Sequence, residues 1–86
     1  MKYSKEQLKN AILNLAKLFN KESVFISYFN EDIVLPRILR LLVELLFLKQ
    51  FQYRLATDST YQEYSSDYSI ILQAFTDINN GQFNFN

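Results

Sequence analysis

Residues 33–55 read IVLPRILRLLVELLFLKQFQYRL and decide the fold of this chain. Apolar side chains point in nearly every direction around a helix through this segment, yet it also carries two arginines, a glutamate, a lysine and a third arginine. Charges at that density exclude a membrane span, so the segment must be buried against protein. An 86-residue chain has little material with which to cover such a helix. We therefore expect part of its apolar surface to contact another chain.

The composition favours a single all-α domain spanning residues 1–86. The chain is 49% hydrophobic and 16% aromatic, which is typical of a folded domain and not of a disordered one. It contains one glycine, Gly81, and one proline, Pro36, whereas a β-sandwich or barrel of this length needs more turn residues. We predict a small helical bundle of three long helices plus one short helical element, with residues 81–86 as a C-terminal tail.

The first two long helices are predicted near residues 4–19 and 33–55. Apolar residues recur every three or four positions in the first of them. Ser4 is a suitable N-cap because its hydroxyl can accept a free amide hydrogen of the first turn, and Asn20 is expected to end the helix. In the second helix Pro36 falls in or near the first turn, where its missing amide hydrogen removes no intrahelical bond.

The third long helix is predicted near residues 60–79. Ser59 and Gln62 stand three positions apart, as in a capping box, so we place the start of the helix there. From Tyr61 onwards, aromatic and aliphatic residues alternate at spacings of three and four, which is the clearest helical periodicity in the chain. Gly81 is expected to take the left-handed conformation of a C-terminal cap.

A short apolar run between the first two long helices is ambiguous. Residues 22–29 combine β-branched and aromatic side chains, which suit either a strand or a buried helical turn. A lone strand has nothing to pair with, so we favour a short helix. The alternative is a strand over residues 24–29 that pairs with the alternating tail, residues 82–86.

Helix 33–55 also has a polar line that ends halfway along it. Arg37, Arg40 and Glu44 share one face, so Leu42 and Leu46 on the opposite face are predicted to be core. The same line would continue at Leu48 and Phe51, so it becomes apolar halfway along the helix. Either another helix crosses there or a partner docks.

The sequence offers no catalytic, cofactor-binding or metal-binding residue. Histidine and cysteine are absent, which removes the commonest general base, the commonest transition-metal ligand and thiolate chemistry. Glu31 and Asp32 are adjacent carboxylates, but they sit where a helix start favours negative charge. The single glycine lies near the C-terminal end, so no glycine-rich phosphate loop is present. We expect a protein that is not an enzyme and needs no cofactor.

The charges point away from nucleic acid and membrane. Nine basic and nine acidic residues cancel, so the chain has no overall field that would attract a polyanion. Nucleic-acid binding through the lysines of the first helix is the least favoured function, and a solvated face explains them better. No membrane span and no signal-peptide core are apparent, which makes a cytoplasmic location the simplest reading.

A protein-binding patch is predicted where helix 33–55 meets helix 60–79. The first loses its polar line near its end, and the second has tyrosines in its first half, which are frequent at protein contacts. A hairpin through the connecting residues would bring these ends together. The alternative is that the tyrosines complete the core. The predicted binding residues are Leu48, Phe51, Arg54, Asp58, Tyr61 and Tyr64.

Two functions follow from these features. The favoured one is a small module that occludes or regulates another protein, of the immunity protein, antitoxin or anti-defence inhibitor type. In size and helical pattern, including the run from Pro36 to Leu41 that opens a long helix, the chain is similar to four-helix immunity proteins. That resemblance implies an inhibitory protein partner and no chemistry. The alternative is a self-associating structural or adaptor subunit, for example a homodimer.

Overall fold

Within residues 3–83, the part of the chain that the computed structural model describes, all regular secondary structure is helical. The predicted all-α fold class is confirmed. The helices in chain order are α1 (Lys5–Leu18), α2 (Glu22–Asn30), α3 (Leu35–Leu48), α4 (Phe51–Thr57), α5 (Ser59–Gln62) and α6 (Ser65–Asn79).

The core forms where α1 and α3 pack against α6. α1 also contacts α2 and α3, and α4 packs against the end of α3 and against α5. Leu42 is fully buried and Leu46 is 4% exposed, as predicted for the face opposite the polar line of α3. No helix within residues 3–83 combines the length and hydropathy needed to cross a bilayer. The fully buried side chains are Leu8, Ala11, Ile12, Leu15, Ala16, Ile38, Leu39, Leu42, Ile71 and Ala74.

The start of α1 is fixed by a capping box, which confirms Ser4 as its N-cap. The Ser4 hydroxyl accepts the amide hydrogen of Gln7 at 3.0 Å. The Gln7 side chain in turn accepts the amide hydrogen of Ser4 at 2.7 Å. Two amides that the helix leaves unpaired are thereby satisfied, which favours this start over neighbouring ones.

Four helices end at a residue with left-handed backbone conformation. Gly81 has this conformation, as predicted, with φ 69°, and so do Asn20, Asp32 and Gln50, with φ 59°, 57° and 54°. At Asn20, Asp32 and Gly81 the next amide reaches back to a carbonyl in the last turn of the helix, at 2.8, 3.2 and 2.7 Å. These are the bonds of Schellman caps. Residues other than glycine thus end helices in a chain that contains only one glycine.

The helix predicted over residues 33–55 is in fact two helices, so that prediction was wrong in its extent. α3 ends at Leu48, and α4 begins at Phe51. Between them Gln50 takes the left-handed conformation, which interrupts the backbone hydrogen-bond ladder and redirects the chain. No glycine or proline marks the break, and we attribute it to the burial of the Phe51 ring that the new direction allows.

The helix predicted over residues 60–79 is likewise divided, into α5 and α6. The N-cap of α5 is Asp58, whose carboxylate accepts the amide hydrogen of Thr60 at 2.9 Å, and not Ser59 as predicted. Asp58 has the extended backbone that an N-cap requires, whereas Ser59 is already helical.

The ambiguous segment is the helix α2, so the alternative strand over residues 24–29 was wrong. Phe25 is buried and packs its ring edge-on against Tyr28. Residues 84–86 of the predicted C-terminal tail lie outside the described residues. Within the described part of the tail, Phe83 packs against the core.

A buried hydrogen bond joins the segment before α1 to α6. The Tyr3 hydroxyl donates to the Asp77 carboxylate at 2.8 Å, across 74 positions of sequence. The Gln73 side chain donates to the other oxygen of Asp77 at 3.0 Å. Burial, followed by the hydrogen bond and the charge of Asp77, raises the pKa of Tyr3 to about 12.

Candidate protein-binding site

The three most exposed large apolar side chains of the described residues lie together where α3 meets α4. Phe47, Leu48 and Tyr53 are 84%, 77% and 67% exposed. Leu72 of α6, 43% exposed, lies beside the same groove as Phe47 and Tyr53. We call Phe47, Tyr53 and Leu72, the exposed apolar residues that line this groove, the groove surface. Clustered exposed apolar side chains are uncommon on proteins that act as isolated monomers and mark contact sites.

A groove of about 480 Å³ opens at this surface. Its walls come from α3, α4 and α6, and the rings of Phe51 and Tyr68, 4.8 Å apart, are part of its lining. Gln50 and Gln52 are its amide-bearing residues. Most of the lining is apolar, so the groove suits an apolar side chain better than a charged one.

The turn between α3 and α4 creates the groove. In a continuous helix, Phe47 and Phe51 would lie one turn apart on the same face. The left-handed Gln50 breaks that relation. Phe51 is thus only 1% exposed, while Phe47 stays on the outer side of α3.

Phe51 belongs to an aromatic cluster beneath the groove. Its ring lies 6.2 Å from that of Phe19, 5.5 Å from that of Tyr61 and 4.8 Å from that of Tyr68. Tilted and edge-on pairs at these distances are favourable beyond their buried area. Burial raises the pKa of Tyr68, so its hydroxyl stays protonated to higher pH than an exposed one. The cluster gives the groove a fixed floor.

The structure separates the predicted binding residues into surface and interior. Leu48 is exposed at the end of α3 but is not part of the groove lining. Phe51 and Tyr61 are buried, and Tyr64 is half-buried and packs against the core. The sequence left open whether the tyrosines complete the core or form an exposed patch. For Tyr61 the first alternative fits better.

The two charged members of the predicted set have local structural partners. Arg54 donates through Nη1 to the Tyr61 hydroxyl at 3.0 Å, and its guanidinium lies 5.6 Å from the centre of that ring. Asp58 caps α5. The structure thus brings Phe51, Tyr61 and Arg54 into contact, with Leu48 on the surface nearby. Whether any of the six residues binds a partner stays a prediction.

Sequence reasoning missed Phe47, Tyr53 and Leu72. A signal for Phe47 was present, because it follows Glu44 by three positions, as Arg40 follows Arg37, and so continues the exposed line. Leu72 gave no signal, since it lies next to the buried Ile71 within an apolar run. Tyr53 depends on the direction of α4, which only the turn at Gln50 sets.

Two charged side chains away from the groove, Lys9 and Asp67, also make defined contacts. Lys9 of α1 lies over the ring of Phe29, 5.3 Å from its centre, as a cation–π pair on the lysine side of that helix. Asp67 accepts a hydrogen bond from Asn14 at 3.4 Å. Burial raises the pKa of the Asp67 carboxyl, and this hydrogen bond partly offsets the rise.

The groups that line the groove are apolar or uncharged. No group of three or more carboxylates within residues 3–83 is placed to hold a metal ion. The groove lining supplies phenyl, aliphatic, phenol and amide groups, which bind apolar side chains and donate or accept single hydrogen bonds. The chain matches no protein-family model, no curated protein sequence and no solved structure.

Proposed function

We propose that this protein is a non-catalytic binding module that occludes or regulates a partner protein through its groove surface. The observation that carries the proposal is the exposure of Phe47 and Tyr53 in the walls of an apolar groove. Leaving such side chains in water forgoes roughly 1.5–3 kcal/mol of burial free energy each, so a partner that covers them gains it.

The chemistry of the surface resembles the central part of a protein interface. Aromatic residues are enriched there, and energetically dominant contacts combine a protruding ring with a pocket that receives one. Here Phe47 supplies an exposed ring, and the groove beside it offers a place for an apolar side chain of the partner. Gln50 and Gln52 can satisfy polar groups of a partner without placing a charge in the interface.

An inhibitory role is the form of the proposal that needs least from the chain. Immunity proteins, antitoxins and anti-defence inhibitors act by covering a surface, which requires shape and apolar area but no reactive group. The absence of histidine and cysteine from the sequence is compatible with that role. We propose that no cofactor takes part, and we place the protein in the cytoplasm.

Affinity capture from the native host, followed by mass spectrometry, tests the proposal. The bait is the tagged protein, next to Phe47→Lys in the groove surface and Ile26→Lys as the matched control. Ile26 is 40% exposed on α2, away from the groove, so its variant adds the same charge at a different apolar site. We expect one protein to be retained in stoichiometric amount by the parent and by Ile26→Lys and to be lost with Phe47→Lys. Equal retention by both variants would overturn the proposed surface.

A further inference from the structure

One side of α3 carries an exposed line of charged and apolar side chains. Arg37, Arg40, Glu44 and Phe47 follow at spacings of three, four and three, which places them on one side of the helix, and all four are exposed. Val34, the N-cap of α3, is 66% exposed at the other end. The line is therefore apolar at both ends and charged between them.

Two copies of this line place opposite charges against each other when their α3 helices run antiparallel. If two copies of α3 cross antiparallel about a two-fold axis at the level of Leu42, residues equally distant from Leu42 face each other. Arg40 then faces Glu44 of the other copy, twice, because each lies two positions from the axis. A parallel pairing would instead place each charged residue against its own like charge.

The same register matches the ends of the line. Arg37 and Phe47 each lie five positions from Leu42, so the guanidinium of one copy faces the exposed ring of the other. Arginine over an aromatic face is an attractive pairing.

We infer that a second copy of this chain packs on the exposed line of α3, through an antiparallel α3–α3 contact with two-fold symmetry, and so covers the part of the groove surface that Phe47 forms. The inference rests on the proposed function in that it assigns a partner to the same surface. A contact of this kind closes on itself and stops at a dimer, because both copies use the same residues. The chain has no net charge, so no overall repulsion opposes the association.

The dimer is expected to be weak enough to exchange for another partner. A single helix pair with its flanking side chains buries less than the roughly 800 Å² per partner of a standard interface. We therefore expect a dissociation constant in the micromolar range, about 1–100 μM. Self-association would then protect the groove surface until a tighter-binding protein displaces the second copy.

Charge reversal at the two facing positions gives a direct test. In Arg40→Glu the opposed pair becomes two glutamates, and in Glu44→Arg it becomes two arginines, so we expect each variant alone to weaken dimerisation at least tenfold. In an equimolar mixture every opposed pair is again of opposite charge, and we expect a one-to-one heterodimer. Sedimentation equilibrium and native mass spectrometry measure both, with circular dichroism to show that each variant is folded.

The mixture separates contact between copies from effects within one helix. Like charges at positions 40 and 44 also repel along their own helix by tenths of a kcal/mol, but mixing leaves that repulsion unchanged. Lys17→Glu and Glu63→Arg are the matched controls, since both residues are exposed and lie outside α3. Both are expected to dimerise as the parent does, alone or mixed.

Three results would overturn the inference. A parent that is monomeric up to several hundred micromolar has no such dimer. A dimer that both α3 variants form as well as the parent does uses another surface. A mixture that stays monomeric, when each variant alone is monomeric, shows that the two positions do not face each other. None of these results bears on capture of a host protein through Phe47, so the proposed function and the inference fail separately.

Discussion

Phe47 and Phe51 are the same residue type, one helical turn apart in sequence, yet their environments are opposite. Phe47 is 84% exposed at the end of α3, and Phe51 is 1% exposed at the start of α4. The difference arises at Gln50, whose left-handed conformation turns the chain between them. One backbone conformation thus separates a ring that completes the core from a ring that stays exposed to solvent.

Exposed and buried apolar side chains lie close together where the core is completed. Turning the chain at Gln50 lets Phe51 reach the rings of Phe19, Tyr61 and Tyr68. Phe47 and Leu48 stay exposed at the end of α3. Buried and exposed apolar side chains thus lie within a few residues of each other in this region, and substitutions can separate their effects.

The largest expected effect comes from truncating the two phenylalanines in turn. Phe51→Ala removes a fully packed ring and should lower the free energy of unfolding by about 3–5 kcal/mol. Phe47→Ala removes an exposed ring and should change it by less than about 0.5 kcal/mol. Urea unfolding followed by circular dichroism, at a concentration where the protein is monomeric, measures both. Equal losses would mean that the two rings are packed alike, and the comparison would fail.

A second prediction asks whether the packed region depends on a polar contact as well as on apolar burial. Tyr3→Phe removes the hydroxyl that donates to Asp77 and leaves a buried carboxylate oxygen without that donor. We expect a loss of about 1–3 kcal/mol in the same unfolding measurement. Tyr28→Phe is the control, because Tyr28 is half-buried and packs against Phe25, and it should have a much smaller effect.

The pH dependence of this contact has a definite sign. The pKa of Tyr3 is about 12 in the fold, above the value of 10.0 for a free tyrosine, so folding favours the protonated hydroxyl. The contribution of this raised pKa to the free energy of unfolding is complete below pH 10 and is lost as the pH rises towards 12. The parent should therefore lose more stability than Tyr3→Phe between these values. Parallel curves for the two proteins would show that Tyr3 has no such shift.

A third prediction tests the turn at which the two phenylalanines diverge. Glycine takes the left-handed conformation without the steric cost that glutamine carries, so Gln50→Gly should raise the free energy of unfolding by about 0.5–1 kcal/mol. Asn20→Gly is the matched variant at another left-handed position, and its gain should be smaller because asparagine tolerates the conformation better. A loss of stability in Gln50→Gly would indicate that the glutamine side chain itself supports the groove.

The smallest expected effect concerns the polar edge of the aromatic cluster. Arg54→Gln removes a guanidinium that binds the Tyr61 hydroxyl and lies over its ring at the surface. We expect a loss of less than about 1 kcal/mol, since contacts of this kind at exposed sites are weak. Arg54→Lys keeps the charge but not the two-nitrogen fork. If Arg54 also binds a partner, Arg54→Gln should reduce the amount of partner captured even though the variant stays folded.

The sequence sufficed for the fold class and for much of the core. Periodicity located α1, α3 and α6, because a helix that buries one side must repeat apolar residues every three or four positions. Local chemistry identified Ser4 and Gly81 as caps, since each meets a requirement of its own short segment. These features depend only on neighbours in sequence.

The breaks between helices could not be read in the same way. Gln50 has little intrinsic preference for a left-handed conformation, and we attribute it to the packing of Phe51 against Phe19, which follows α1, and against rings of α5 and α6. Such contacts join residues far apart in the chain. The candidate site inherits the same dependence, because the exposure of Tyr53 and the shape of the groove follow from the direction of α4.

The pairing of α1 with α6, fixed by the bond from Tyr3 to Asp77, has a consequence for how the protein is made. Synthesis delivers α1 early, with its apolar face of leucine, isoleucine and alanine uncovered, and α6 only after every intervening helix has emerged. α2 and α3 cover part of this face earlier, but the part that α6 covers stays open to other hydrophobic surfaces until then. Chaperone association should consequently end abruptly once α6 leaves the ribosomal tunnel, and not decline gradually with chain length.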